Sequence, residues 1–151
     1  MQRIRTEHVI AAPPARVFAA LVDFATWSAW NPVIPKIRGE ARLGSAVRFR
    51  IVIPGLPALS LKAKLTTLER DRRIAWSGGM SAVLHGEHYF EVSPDGTAGD
   101  RTRLVHGEDF TGALSRLMPA SVVAKITKAY ATVNAALGAE LDQNLVRART
   151  P

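Results

Sequence analysis

Three ionisable side chains, two histidines and one glutamate, could do chemistry together if two segments of this chain pair. His88 lies in segment 83–92, and His106 and Glu108 lie in segment 101–110. Both segments alternate polar and apolar residues, which predicts strands, and the Pro- and Gly-containing stretch between them predicts a hairpin loop. Alternate residues of a strand share a face, so His106 and Glu108 lie on one side. We expect the three side chains to form one polar cluster.

The register of this hairpin decides which side chains meet. If the pairing is symmetric about Thr97, Phe90 lies opposite Leu104 and His88 lies opposite His106. Directly opposed side chains have their Cβ atoms about 5 Å apart, so the two imidazoles would touch. A bulge in the loop would shift this register.

Ionisable groups on an inner face are costly unless they are paired, so the cluster requires a partner or a role. The residues leave four interpretations open: mutual hydrogen bonding, anchoring the polar end of an apolar ligand, acid–base catalysis, and a metal held by two histidines and a carboxylate. Enolisation of a ketone, or removal of water from a hydroxy-ketone, would suit a buried carboxyl beside a histidine. Glu108, His106 and His88 are then the candidate catalytic residues, and no metal site is predicted.

The rest of the chain predicts the elements that position the cluster. Residues 3–11 alternate and predict a first strand, and Pro14 begins a short helix. A second short turn carries Trp27 and Trp30. Short turns then divide residues 33–110 into six further strands, a spacing typical of an antiparallel meander. These strands are predicted at 33–41, 46–53, 59–70, 73–77, 83–92 and 101–110.

The last third of the chain predicts one long helix. From Ser115 to Leu145, apolar residues recur at steps of three or four and form one stripe, which includes Tyr130. Gly138 inside this helix costs about 1 kcal/mol relative to alanine, so it either permits close approach to the sheet or is simply tolerated. One long helix can cover one face of a curved antiparallel sheet. The predicted fold class is α+β.

Two parts of the sequence resemble the SRPBCC (START-like, birch-pollen-allergen-like) superfamily. Its opening is similar to IAAPPARVF at 10–18, followed by Asp23 and Trp30-Asn31-Pro32. The stretches GEHYFEV at 86–92 and TRLVHGEDFTG at 102–112 are similar to its polyketide cyclase/dehydrase and lipid-transport branch.

This resemblance implies a helix-grip fold, in which a seven-stranded curved antiparallel sheet wraps around the C-terminal helix, with two short helices between strands 1 and 2. It also implies an apolar cavity between sheet and helix, and it supplies no fixed set of catalytic residues. A single domain would span residues 1–146, and residues 147–151 would form a frayed tail.

Strand alternation assigns the side chains that face this cavity. Trp76 is predicted inward, as a wall on which a flat ligand stacks, and the Tyr130 hydroxyl would want a polar partner there. Trp27 and Trp30 either pack in the core or close the cavity mouth. The candidate ligand-binding residues are Trp76, His88, Phe90, His106, Glu108, Phe49, Tyr130 and Trp30.

Composition excludes several classes of function. The chain has 151 residues, of which 47% are apolar and 22% charged, as in one globular domain. It has no cysteine, which excludes disulfides and cysteine nucleophiles. No phosphate-binding glycine loop or dinucleotide motif is present, so no cofactor is expected. No apolar run reaches the roughly 18 residues of a membrane span and no signal peptide is recognised, which predicts a cytoplasmic protein.

Two functions of different classes stay open. The first is binding of a small hydrophobic or aromatic molecule, as a carrier, a sensor or a cyclase/dehydratase-like enzyme. The second is docking of RNA, ribosome, anionic lipid or a protein on an outer basic face, and it rests on the net charge of +7. No aromatic residues interleave with these charges, so nucleic acid is not the expected partner, and a homodimer is compatible with the sequence. The face would comprise Arg48, Arg50, Lys62, Lys64, Arg70, Arg72 and Arg73.

Overall fold

The computed structural model describes residues 1–149. Within these residues three α-helices and seven strands follow one another, with short 3₁₀ turns at Phe24–Thr26 and Ala113–Leu117. The elements in chain order are β1 (Gln2–Ile10), α1 (Pro14–Val22), α2 (Trp27–Trp30), β2 (Lys36–Arg38), β3 (Ala46–Ile51), β4 (Leu59–Glu69), β5 (Arg73–Met80), β6 (Leu84–Pro94), β7 (Thr102–Thr111) and α3 (Ala120–Arg149).

All seven strands form one antiparallel sheet in the order β1-β7-β6-β5-β4-β3-β2. The long helix α3 packs on the inner face, chiefly against β1. The predicted helix-grip fold is therefore confirmed. No helix in the described part of the chain is long and apolar enough to cross a membrane.

The apolar stripe of α3 forms one side of the core. Ile126, Tyr130, Val133, Leu137 and Leu141 are all buried, at the spacing that the sequence predicts. Complete burial of one such aliphatic side chain contributes roughly 1.5–3 kcal/mol, so the stripe fixes the helix on the sheet. The other side of the core comes from the inward residues of the strands and from α1 and α2.

The ends of α3 differ from the prediction. The helix begins at Ala120 rather than Ser115, because Pro119 disfavours helical geometry at Met118, whose backbone is extended (φ −64°, ψ 120°). At the other end α3 runs to Arg149, and so includes residues 147–149 of the predicted frayed tail. Residues 150–151 lie outside the described residues.

The strand β2 is much shorter than the predicted 33–41. Pro32 and Pro35 have no N–H to give to a ladder. The Asn31 side chain accepts hydrogen bonds from the backbone N–H groups of Val33 (3.0 Å) and Ile34 (2.8 Å), so these donors are satisfied by a turn instead of a strand.

The strand β5 is longer than the predicted 73–77, because Gly78 and Gly79 continue it instead of ending it. A Cβ atom at Gly78 would lie 2.8 Å from the backbone oxygen of Lys62. Glycine at 78 therefore lets β4 and β5 approach closely beside the cavity described below.

Replacing Gly138 with alanine is expected to stabilise the protein by about 0.5–1 kcal/mol. Alanine lowers the entropy cost of forming the helix. An added Cβ would meet His8 Nε2 at 3.7 Å and Ile10 Cγ1 at 3.9 Å, which are ordinary contacts. Chemical denaturation of both proteins measures this effect. A loss of stability would show that the helix needs glycine here for close packing.

Candidate ligand-binding site

A cavity of about 430 Å³ lies between the sheet and the first half of α3. This volume falls within the roughly 300–1,000 Å³ of small-molecule sites, and the wall is predominantly apolar, as in such sites. Apart from Lys62 on β4, the polar residues of the wall enter at one place, where β6, β7 and α3 meet: His88, Glu108 and Tyr130. The apolar wall includes Val33, Ile34, Phe49, Ile51, Ile53, Leu56, Leu59, Leu61, Ala63, Trp76, Leu84, Phe110, Met118, Val122 and Ile126.

The hairpin of β6 and β7 brings the polar residues together, although in a different register from the predicted one. His88 pairs with Glu108, and Phe90 pairs with His106, so the predicted pairing of His88 with His106 was wrong. The loop is centred on Ala98, one residue later than the Thr97 of the prediction. Such a shift moves every partner by two positions and leaves each side chain on its predicted face, so the cluster still forms.

Within the cluster, His88 bridges the other groups. Its Nε2 atom lies 3.2 Å from Nε2 of His106, and its Nδ1 atom lies 3.1 Å from the hydroxyl oxygen of Tyr130. The Tyr130 hydroxyl also forms a short hydrogen bond to the Glu108 carboxylate. Glu108 Oε2 is 3.9 Å from His88 Nδ1, so Tyr130 connects these two groups.

The far side of the cluster fixes the tautomer of His106. The Thr6 hydroxyl donates its one hydrogen to the backbone oxygen of His106 (3.0 Å) and accepts a hydrogen bond from Asn134 Nδ2 (3.0 Å). Asn134 Oδ1 must then face His106 Nδ1 at 2.9 Å, where it can only accept. His106 therefore carries its hydrogen on Nδ1, and its bare Nε2 accepts a hydrogen from His88 Nε2.

Burial sets the charge of two members of the cluster. Burial, and then the neighbouring His88, lower the pKa of His106 well below its ordinary value, so His106 is neutral at pH 7. Burial, and then the Glu108 carboxylate, raise the pKa of Tyr130 well above its ordinary value, so the hydroxyl keeps its proton.

Glu108, Tyr130 and His88 form a chain of hydrogen bonds, called the relay below, along which two arrangements of the hydrogens satisfy every contact. In one arrangement a protonated Glu108 donates to Tyr130, which donates to His88 Nδ1. In the other, an imidazolium at His88 donates to Tyr130, which donates to a carboxylate at Glu108. The two arrangements hold the same number of protons and differ by the shift of one hydrogen along each hydrogen bond. Because Glu108 lines the cavity, the relay opens onto it.

Comparison with known families identifies the chain. The model of the family described as polyketide cyclase / dehydrase and lipid transport matches residues 1–146. The chain belongs to this polyketide cyclase/dehydrase family. The resemblance seen in the sequence is confirmed, and the match covers the whole predicted domain. The search of curated protein sequences found no match to this chain.

Solved structures share the fold of this polyketide cyclase/dehydrase family member at low sequence identity. The ZhuI aromatase/cyclase from Streptomyces sp. R1128 is 17% identical with a TM-score of 0.74, and 95% of each chain is covered. A START superfamily protein from Mycobacterium smegmatis is 19% identical with a TM-score of 0.75, over 93% of this chain and 97% of that one. A protein from Thermus thermophilus is 17% identical with a TM-score of 0.74, over 99% of this chain and 100% of that one.

Five of the eight candidate ligand-binding residues line the cavity: Phe49, Trp76, His88, Glu108 and Tyr130. The Trp76 indole stacks on the His88 imidazole, with ring centroids 4.7 Å apart and an angle of 21°. The other three, Phe90, His106 and Trp30, are buried behind the wall. His106 therefore contacts the cavity wall from behind, through its hydrogen bond to His88 and through stacking on Tyr130, with ring centroids 4.0 Å apart.

Asn134 and Thr6 were not among the predicted site residues. Asn134 lies one helical turn after Tyr130 on the buried face of α3, and it is fully buried. A polar residue at that spacing on an apolar stripe is the signal that could have identified it. Thr6 shows no comparable signal, because threonine is common on the inner face of an edge strand.

Metal-ligand geometry is not seen in the cluster. The imidazoles of His88 and His106 turn their Nε2 atoms toward each other, 3.2 Å apart. Among residues 1–149, no group of three His, Asp or Glu side chains is arranged to hold a metal ion.

Acidification below about pH 6.5 should destabilise the protein through His106. In the unfolded chain His106 takes up a proton near this pH, whereas the lowered pKa keeps the folded form neutral. The unfolded state then binds more protons, so the free energy of unfolding falls with pH, by up to about 1.4 kcal/mol per pH unit for one proton. Urea unfolding between pH 7.5 and 4.5 should show a shallower pH dependence for His106→Asn than for the wild type. Equal slopes would contradict this assignment.

Proposed function

We propose that this protein binds a small hydrophobic or aromatic molecule, of polyketide-like or lipid-like chemistry, in the cavity between the sheet and α3. The molecule would lie with its polar end against Glu108 and Tyr130, and the protein would serve as a carrier, a sensor or a cyclase/dehydratase-like enzyme. The observation that carries this proposal is the apolar cavity of about 430 Å³ with His88, Glu108 and Tyr130 gathered at one end.

The walls suit a flat or flexible apolar body. Phe49 and Trp76 face the cavity from the sheet, and Val122 and Ile126 face it from α3. Removing apolar ligand surface from water contributes roughly 25 cal/mol per Å² before the costs of association are subtracted. These contacts would hold the molecule without specifying its chemistry.

Glu108 would recognise the polar end of the ligand. Its Oε2 atom accepts a hydrogen bond from the Tyr130 hydroxyl, whereas its Oε1 atom lies beside Gly86, which also lines the cavity. A Cβ atom at residue 86 would come within 2.7 Å of this oxygen. Glycine at 86 therefore leaves room beside Oε1 for a ligand hydroxyl, carbonyl or enol.

The relay supports acid–base chemistry on a bound ketone. Glu108 would exchange a proton with the substrate, and Tyr130 would transfer a proton between Glu108 and His88. His106 would act as a positioning residue, because it lies behind the cavity wall. Glu108→Gln keeps the shape of the side chain but removes proton exchange, so a turned-over ketone should lose roughly 10²–10⁴-fold in rate with binding retained.

A second candidate function is favoured by one observation on the outer face of the sheet. Arg48, Arg50, Lys62 and Lys64 lie together on β3 and β4, and no carboxylate in the described part of the chain forms an ion pair with them. Arg73, by contrast, pairs with Glu87 and Glu91. A macromolecular partner would therefore meet β3 and β4 rather than the whole predicted basic face.

Occlusion of the cavity tests the ligand proposal. Titration with the neutral fluorescent probe N-phenyl-1-naphthylamine should show one site per chain. Val122→Trp fills the cavity from α3 and should weaken binding at least tenfold. The matched control Ala131→Trp adds the same side chain at an exposed position of α3 and should bind like the wild type. Absence of uptake by the folded protein, or equal binding by the two variants, would refute the proposal.

A further inference from the structure

The loops around the cavity mouth all lie at one end of the sheet. Successive strands run in opposite directions, so the β3–β4 loop, the β5–β6 turn and the segment after β7 share this end. Backbone hydrogen bonds join two of them: Ala113 N–H donates to Ala82 O (3.1 Å), and Leu114 N–H donates to Val83 O (2.9 Å). These bonds hold the β5–β6 turn to the segment after β7, and the β3–β4 loop is held by a hydrogen bond from Lys125 Nζ to Gly55 O (2.9 Å).

Large apolar side chains are exposed on this rim. Leu117 is 73% exposed and Met80 is 66% exposed, and Leu59 and Leu61 border the cavity itself. Exposed apolar residues scattered singly are ordinary, but a set gathered around a cavity mouth indicates an interaction site. We call this set the apolar rim: Leu59, Leu61, Met80, Val83, Leu114 and Leu117.

Cations flank the apolar rim on the outer face of β2, β3 and β4. Arg50 lies directly opposite Lys36, and Arg48 lies between Arg38 and Lys62. Opposed like charges destabilise a sheet, and the described part of the chain places no carboxylate in an ion pair with them. We call this set the basic face: Lys36, Arg38, Arg48, Arg50, Lys62 and Lys64.

The other half of the sheet has its charges balanced. Arg3 pairs with Asp109 at 2.8 Å, and Arg103 pairs with Glu7. The positive charge is therefore concentrated on one half of the outer face, beside the cavity mouth, instead of being spread for solubility. An anionic partner would meet both the basic face and the apolar rim at once.

We propose that the protein docks on an anionic lipid bilayer through the apolar rim and the basic face. Apolar side chains beside cations are the pattern of proteins that bind the membrane interface, where anionic headgroups meet acyl chains. The basic face carries no aromatic residue on which bases could stack, which disfavours single-stranded nucleic acid. Docking in this orientation opens the cavity mouth onto the bilayer. It does not depend on which molecule the cavity holds.

Vesicle co-sedimentation tests this docking. The wild type should bind vesicles of phosphatidylcholine with 30% phosphatidylserine, bind pure phosphatidylcholine weakly, and release as salt rises from 50 to 300 mM. Arg50→Gln with Lys36→Gln should weaken binding about fivefold per charge. Met80→Ser with Leu117→Ser should weaken it by at least as much, with probe binding in the cavity unchanged, because neither residue lines it.

Two controls make the test specific. Arg101→Gln removes a charge at the opposite end of the sheet, and Val9→Ser removes an exposed apolar side chain from β1; both should bind vesicles like the wild type. Absence of binding to anionic vesicles at low salt would overturn the proposal. Equal losses in rim and control variants would also overturn it, as would tight binding to polyuridylate that is insensitive to the rim variants.

Discussion

Replacement of Trp27 by alanine is expected to lower the free energy of unfolding by about 3–5 kcal/mol. Trp27 is fully buried at the centre of an aromatic cluster, where its ring centroid lies 5.5 Å from those of Phe24 and Trp30 and about 6 Å from those of Trp76 and Phe90. Loss of the indole removes these contacts and leaves a cavity behind the ligand-facing wall. Thermal unfolding should shift downward by roughly 6–20 °C for a chain of this length.

Trp27→Phe should be much milder. Phenylalanine keeps most of the aromatic packing and removes the indole N–H, which is buried without a hydrogen-bond partner. Leu117→Ala, at a side chain that is 73% exposed, serves as a surface control and should change stability by less than about 0.5 kcal/mol. A cost below about 1 kcal/mol for Trp27→Ala would show that the aromatic cluster does not support the cavity wall.

Replacement of Asn134 by leucine is expected to reverse the hydrogen bonds of the histidine pair and to cost about 1–3 kcal/mol in stability. Leucine cannot accept the hydrogen on His106 Nδ1. His106 would then carry its hydrogen on Nε2 and donate it to His88, which would donate from Nδ1 to Tyr130. With Tyr130 donating to Glu108, the cluster is satisfied with one proton fewer. We therefore expect Asn134 to act as a positioning residue, which sets the tautomer of His106 and so keeps this proton on the relay.

Nitrogen-15 NMR of the imidazole rings reports these tautomers directly. The wild type should show His106 protonated on Nδ1, and Asn134→Leu should show it protonated on Nε2. The control Asn144→Leu removes an asparagine that donates to Glu140, one turn away on α3, and should leave both imidazoles unchanged. An Nδ1-protonated His106 in Asn134→Leu would contradict the role assigned to Asn134.

The order and the faces of the elements could be predicted because they depend on periodicity. A one-residue error in the centre of the β6–β7 loop did not matter for His88, His106 and Glu108, because it moves partners by two and preserves the face. The spacing of Tyr130 on the α3 stripe placed its hydroxyl inward for the same reason.

Other features could not be predicted, because they depend on distances between segments that are remote in sequence. Asn134 meets Thr6 across 128 residues, and no local pattern encodes that hydrogen bond. Whether Phe90 and His106 would border the cavity or lie behind it depended on how closely α3 approaches β6 and β7. The predicted β2 was too long because the Asn31 side chain competes with the strand ladder for two backbone N–H donors.

The central claim is that the cavity accommodates a guest whose polar group meets Glu108 and Tyr130. A crystal structure of the protein soaked with 2-naphthol tests it most directly. The account predicts the naphthalene ring between Trp76 and Ile126, with its hydroxyl within hydrogen-bond distance of the Glu108 carboxylate or the Tyr130 hydroxyl. A cavity closed by its own side chains, or naphthol bound only on the outer surface, would contradict it.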